Sequence, residues 1–197
     1  MDKSEELTKL EVNAKKVLAK PGTNLVFGEG NPDSQVMFIG EAPGFNEDRL
    51  GRPFVGLAGR LLDKNLAAVG IKREDVYITN VLKNRPPGNR DPLPGEIEEA
   101  APFLDQQIAI ISPDVIVTLG RFSMGKFLPG VKISQVHGEP KRIGRHLIVP
   151  MFHPAAALRS PAMMKLFEED FRKLPEIIEH CDTFVAEGQD PNQLSLI

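Results

Sequence analysis

Short, wholly apolar runs alternate along this chain with longer stretches whose apolar residues recur at helical spacing. The runs at 36–39, 76–78, 115–119 and 147–149 are aliphatic or β-branched, the character of strands buried on both faces. Extended to their flanks, they predict four strands at 34–40, 76–82, 115–119 and 146–151. Between them the pattern predicts an amphipathic helix over 3–19, ending near Pro21-Gly22, and another over 58–69. The latter carries Leu61, Leu62, Leu66 and Val69 on one side and Gly70 as its C-cap. Further helices are expected over 96–111, shortly after Gly120-Arg121-Phe122-Ser123, and from Ser160 or Pro161 to His180. Residues 84–95 hold four prolines and two glycines among arginines and read as a long loop. Strand–helix alternation of this kind predicts an α/β protein, a three-layer α/β/α sandwich around a central, mainly parallel four-stranded sheet. No internal repeat is visible. Past Asp182 the chain turns polar, which predicts one domain over 1–182 and a flexible C-terminal tail over 183–197.

The order of elements brings chemistry to one place. Gly40-Glu41-Ala42-Pro43-Gly44 leads on to Arg52-Pro53-Phe54-Val55-Gly56, Thr79-Asn80-Val81 comes next, and Phe152-His153-Pro154-Ala155 last. Each set follows a predicted strand, and residues just past the strand ends of an open parallel sheet line one ligand crevice. A carboxylate, an aromatic ring, an amide and an imidazole would converge there, a set suited to a flat, hydrogen-bonding ring such as a nucleobase.

Composition narrows the class. With 197 residues, 41% hydrophobic and 26% charged, the chain fits a soluble globular domain with a sizeable core. No apolar run is long enough to span a bilayer, and the charged first residues lack a signal-peptide core, so a cytoplasmic protein is expected. The single cysteine, Cys181, excludes an internal disulfide framework and a cysteine-rich metal site within one chain. The net charge of −3 hides an asymmetry: residues 80–165 carry 11 Lys and Arg against 7 Asp and Glu, whereas residues 166–197 carry 2 against 8. A basic middle of this kind is compatible with a phosphate-facing side.

Five stretches in order carry a resemblance to family 4 of the uracil-DNA glycosylase superfamily. They are Gly28-Glu29-Gly30-Asn31, Gly40-Glu41-Ala42-Pro43-Gly44, Gly51-Arg52-Pro53-Phe54-Val55-Gly56, Asn80-Val81-Leu82-Lys83-Asn84-Arg85-Pro86-Pro87 and His153-Pro154-Ala155. The resemblance runs from about residue 8 to residue 180. It implies a monofunctional glycosylase that hydrolyses the N-glycosidic bond of uracil in DNA and leaves an abasic site. On that reading His153 stabilises the departing uracil anion, a contribution of about 3–4 kcal/mol for one well-placed donor. Pro154 suits the first position of a helix whose N-terminal dipole also favours an anion. Asn80 accepts from uracil N3–H and donates to O4, a pattern cytosine opposes. Phe54 stacks on the base, and the Gly40–Ala42 backbone holds its other edge. Glu41 is favoured for the water, with Glu47 and ordered backbone as alternatives. The best-known relatives carry an aspartate where this chain has Ala42, as family 4 generally does. Lys83, Arg85, Arg90 and Arg159 are candidates for DNA phosphates. Leu158 is the candidate wedge where the base leaves the stack, which extrusion requires.

The chain departs from the family at one point. Family 4 members resemble one another in four cysteines holding a four-iron, four-sulfur cluster, and the matching positions here are Asn13, Lys16, Asn84 and Ala100. No cluster, metal or redox cofactor is therefore expected. Packing or hydrogen bonds would replace the staple, Asn13 facing Asn84 being one candidate pair. The basic run Lys141-Arg142-Ile143-Gly144-Arg145-His146 is read as a hairpin or a phosphate contact, and not as the histidine-containing insertion of a covalent variant in the superfamily. The last residues, Gln193-Leu194-Ser195-Leu196-Ile197, resemble the peptide by which bacterial proteins dock on the replicative sliding clamp, apolar anchors on a polar leash. Otherwise a monomer acting on uracil-containing DNA is expected. Two rival readings stand beside this one: a glycosylase for hypoxanthine or xanthine, and a non-catalytic, clamp-tethered module that binds damaged DNA.

Overall fold

The computed structural model describes residues 2–184. The tail and its candidate clamp peptide, Gln193 to Ile197, lie outside the described residues. In chain order the helices are α1 (Lys3–Val17), α2 (Phe45–Leu50), α3 (Leu57–Ala68), α4 (Pro94–Ile111), α5 (Arg121–Phe127), α6 (Ile133–Val136), α7 (Pro154–Ala157) and α8 (Pro161–Glu179). The strands are β1 (Glu29–Gly30), β2 (Val36–Gly40), β3 (Tyr77–Asn80), β4 (Val115–Leu119), β5 (Lys141–Ile143) and β6 (His146–Met151). They form one sheet in the order β1-β3-β2-β4-β6-β5, its four central strands parallel and both edges antiparallel.

Side-chain alternation along the central strands divides the core into two layers. Val36, Phe38, Val115, Val117, Leu147 and Val149 point to one face, where α3 brings Leu61, Leu62 and Leu66 and α8 brings Phe167, Phe171 and Leu174. Met37, Ile39, Ile116 and Ile148 point to the other, under α1 (Leu7, Leu10, Ala14) and α4 (Phe103, Leu104, Ile108, Ile111). Being covered on both faces, the central strands need apolar residues at every position, which is why they read as unbroken runs. The three-layer expectation holds.

The expected four strands are six. Glu29–Gly30 is too short to show a pattern, and Lys141–Ile143 is charged; both are edge strands, where charge and brevity guard an open ladder. The run 141–146 forms the β5–β6 hairpin, with Gly144 at φ 56° in the turn. Its arginines face the protein body: Arg142 donates to the Cys181 and Phe184 carbonyls, and Arg145 to Ser112 Oγ. The predicted helix start at Glu96 moves back to Pro94, because Glu96 accepts from Leu93 N–H (3.0 Å) and caps the first turn from inside.

The expected Asn13–Asn84 pair does not form. Asn13 lies on the exposed side of α1, while Asn84 is buried and donates to Thr23 Oγ1 (3.2 Å). α1 is held instead by packing and charge. Ala14 and Leu18 share a buried cluster with Ala100 and Phe103, Lys20 pairs with Glu99 (3.3 Å), and Lys3 Nζ donates to the Ile111 carbonyl (2.9 Å).

Candidate active site

Parallel pairing sets Gly40 beside Asn80 at the ends of β2 and β3. Gly120 follows β4 and donates to the Met151 carbonyl (2.8 Å), which draws the Phe152-His153 turn after β6 to the same edge. A cleft of about 570 Å³ opens there, lined by Glu41, Ala42, Glu47, Phe54, Asn80 and His153 among others. The chemistry expected at separate strand ends is thus assembled at one cleft.

Phe54 is held in a left-handed conformation (φ 51°), costly for a residue with a side chain and sustained only by its surroundings. Both of its neighbours are pinned. Glu47 Oε1 accepts from the N–H groups of Val55 (2.9 Å) and Gly56 (2.7 Å), and Arg73 Nη2 donates to the Pro53 carbonyl (2.7 Å). Arg73 is itself paired with Glu29 (2.9 Å) and Asp63 (2.6 Å), and Arg52 grips Glu29 through two nitrogens. Gly59 completes the support, since a Cβ there would come within 1.8 Å of the Phe54 carbonyl. The ring ends up 5.8 Å from the His153 ring, tilted by 31°. Glu47 therefore shapes the loop that carries the aromatic ring, and its Oε1 is committed to backbone donors. Removing it as Glu47→Ala should cost about 1.5–3 kcal/mol of loop stabilisation, the range for hydrogen bonds to a charged group. The expected readout is a 10- to 100-fold fall in kcat/KM with a folded protein, and Glu47→Gln, which keeps an acceptor, should recover part of it.

Asn80 is buried, and its Oδ1 is without a protein partner while the residue lines the cleft. Buried amide oxygens are rarely left unpaired, so this one points to a ligand donor. From behind, Lys83 supports it. Expected as a DNA contact, Lys83 is only 1% exposed and cannot reach a phosphate. Its Nζ donates to Thr79 Oγ1 (2.7 Å), the Asn80 carbonyl (2.8 Å) and Gln107 Oε1 (2.6 Å), inside the protein. Burial, reinforced by the charge of Lys126, pushes its pKa well below the ordinary lysine value. Three converging acceptors explain why the side chain folds inward from a basic loop.

His153 caps α7. Its Nδ1 accepts from Ala155 N–H (3.1 Å), which leaves the proton on Nε2 as a donor. Burial lowers its pKa to about 4; the Glu47 charge opposes that shift and Arg159 adds to it. The imidazole is therefore neutral at ordinary pH. Glu41 is half-buried at the cleft, and burial raises its pKa, with Asp91 acting in the same direction and Arg121 against it. Asp91 and Arg121, which pair with one another, also line the cleft and were not among the sequence candidates. Arg121 comes two residues past the end of β4, so the same strand-end reasoning could have found it; Asp91 comes from the long loop and carries no such signal.

The remaining phosphate candidates lie around the mouth. Arg159 and Arg90 line the cleft and are exposed, though Arg90 is engaged by both carboxylate oxygens of Glu96 (2.8 and 2.9 Å). Arg85 donates to Asn89 Oδ1 (2.6 Å). Leu158 projects after α7, 45% exposed. The four positions that the family resemblance assigns to a cluster do not fit such a group: Asn13 and Lys16 are exposed, Asn84 and Ala100 are buried, and none supplies a thiolate. Among the described residues there is no group of three or more His, Cys, Asp or Glu that could hold a metal ion. Nor, among them, is any helix long and apolar enough to cross a membrane.

The sequence profile described as Uracil DNA glycosylase superfamily matches residues 27–175, the span that contains every residue of the cleft named above. The chain belongs to the uracil DNA glycosylase superfamily. It is a hydrolase of that class, acting on N-glycosyl bonds. It is 46% identical over 190 residues to the type-4 uracil-DNA glycosylase of Sulfurisphaera tokodaii, covering 90% of this chain and 86% of that one. It is 47% identical to the type-4 enzyme of Archaeoglobus fulgidus (81% and 85% covered) and 48% identical to that of Thermotoga maritima (80% and 84%).

Proposed function

We propose that this glycosylase excises uracil from DNA in a single hydrolytic step, as a monomer and without metal, cluster or redox cofactor. The observation that carries the reading is the buried, unpartnered Oδ1 of Asn80 in the same cleft as the neutral, Nε2-protonated His153. Uracil offers a complement to each group: N3–H for the unpartnered amide oxygen, O4 for the amide NH₂, and O2 for the imidazole donor. Phe54 stacks on the ring. As the bond from C1′ to the base nitrogen breaks, its electron pair moves into the ring and negative charge grows on O2, where His153 Nε2–H meets it. Water adds to C1′ and gives up a proton to Glu41, the candidate carboxylate left free of backbone donors in this reading. The products are an abasic deoxyribose and the uracil anion, which becomes free uracil by taking up a proton from solvent as Glu41 returns its own to solvent. A donor that is neutral before and during the step hydrogen-bonds the anion without having to be deprotonated. Arg85, Arg90 and Arg159 are assigned to phosphates, and Leu158 to the gap left by the extruded base.

Single-turnover base release from a panel of oligonucleotides carrying uracil, hypoxanthine, xanthine or unmodified cytosine tests this. Release of uracil alone is expected. Release of a purine at a comparable rate would replace the assigned specificity, and binding without release of any base would leave the non-catalytic module. The cofactor assignment has its own readout. Protein purified from iron-replete cells should hold far less than the roughly four iron atoms a cluster brings. Chelator or ferricyanide treatment should leave its rate unchanged. In the cell the reading places the enzyme in the cytoplasm, docked on the sliding clamp through Gln193-Leu194-Ser195-Leu196-Ile197; deleting those five residues should abolish clamp binding and spare base release.

A further inference from the structure

Phe45 is the one aromatic among the exposed large apolar side chains of the described residues, 58% exposed. It opens α2 directly after Gly44, a residue of the cleft wall, so it stands on the rim. Arg85 lies over its ring, 5.2 Å from the centroid, and is tied through Nε to Asn89, which also lines the cleft. Ring and guanidinium thus brace two rim loops that sequence separates by forty residues. An aromatic ring in water at such a site loses favourable burial. Arg85 and Arg159 bring positive charge to the same mouth, while Arg90 and Arg121 there are paired with Glu96 and Asp91. Exposed aromatic faces beside cations that track a phosphate backbone are how proteins hold unpaired bases.

We infer that Phe45, backed by Arg85, is a stacking platform for the unpaired nucleobase next to the extruded nucleotide. This rests on the reading of the cleft as the seat of a base in DNA. The platform engages a neighbour only where that neighbour is free of its complementary strand. It therefore biases the enzyme toward single-stranded or locally opened DNA. Arg85 contributes twice, holding the ring by cation–π contact and offering positive charge to the adjoining phosphate.

The test uses uracil-containing single-stranded oligonucleotides in which one flanking nucleotide at a time is replaced by an abasic spacer, with the full chain and its Phe45→Ala and Phe45→Trp variants. For the native protein, removing the base on one side should lower kcat/KM by roughly tenfold, the scale of base–aromatic stacking. Phe45→Ala should lose a similar factor on the intact oligonucleotide and be indifferent to that spacer, while Phe45→Trp stays near native. Native and Phe45→Ala proteins that release uracil equally well from every oligonucleotide would overturn the platform and leave the uracil reading intact. A native protein that releases no uracil would overturn that reading instead. Anisotropy with uracil-free single strands then decides the platform: weaker binding by Phe45→Ala supports it, and equal binding removes it.

Discussion

Replacing His153 with alanine should lower single-turnover uracil release at least about a hundredfold, the scale seen when one donor to a developing anion is removed. The variant should still fold, because the ring lies at the cleft and its Nδ1 serves only a short-range hydrogen bond, from Ala155 N–H. The same geometry fixes the pH behaviour. With a folded pKa of about 4, His153 stays neutral down to mildly acidic pH, so its titration contributes no change in rate near the usual histidine value of 6.5. Below about 4 the imidazole gains its second proton, Nδ1 can no longer accept from Ala155, and the helix cap is lost. The linkage to stability runs the same way. The unfolded chain takes up this proton at higher pH than the folded one, so stability falls as pH drops from about 6.5 toward 4 and is independent of this group above that window. A rate profile that rose or fell with a midpoint near 6.5, and lost that midpoint in His153→Ala, would contradict the neutral-donor assignment.

How much of this could be read from the chain depends on whether the signal was periodic or three-dimensional. The four central strands were legible because burial on both faces forces continuous apolar runs, and the convergence of Glu41, Phe54, Asn80 and His153 followed from strand order alone. The edge strands Glu29–Gly30 and Lys141–Ile143 were not, because an edge needs no apolar pattern. Lys83 misled for a related reason. It sits in a basic, proline-rich stretch with Arg85 and Arg90, and only the fold reveals that Thr79, Asn80 and Gln107 turn three acceptors toward its amine. Glu47 was a candidate for the water on the strength of its charge; the backbone donors of Val55 and Gly56 that engage it are set by the left-handed Phe54 between the loops, which no sequence pattern announces.

Gly40→Ala is expected to cost nearly as much activity as the loss of His153, and for a purely steric reason. The residue's φ lies outside the left-handed region, so alanine is acceptable to the backbone; it is space that is missing. A Cβ at position 40 would stand 2.3 Å from Asn80 Oδ1 and 2.5 Å from Phe54 Cζ. Gly40 lies in a central strand paired on both sides of β2, with little freedom to retreat, so the two side chains must move instead. Both border the open cleft, and displacement into it is the easy direction, because the core behind them is closely packed. The amide then leaves the position proposed to read N3–H, and the ring enters the volume the base should fill. Thermal stability should therefore change little, whereas kcat/KM for uracil release should fall by about two orders of magnitude or more, with the loss in base binding as well as in chemistry. Gly59→Ala makes the useful contrast. There the overlap is with the Phe54 backbone itself, 1.8 Å from its carbonyl oxygen, and that backbone is pinned on either side by Glu47 and Arg73. That variant should lose stability together with activity. A Gly40→Ala protein of native activity would mean that Asn80 and Phe54 are not the two walls between which the base is held.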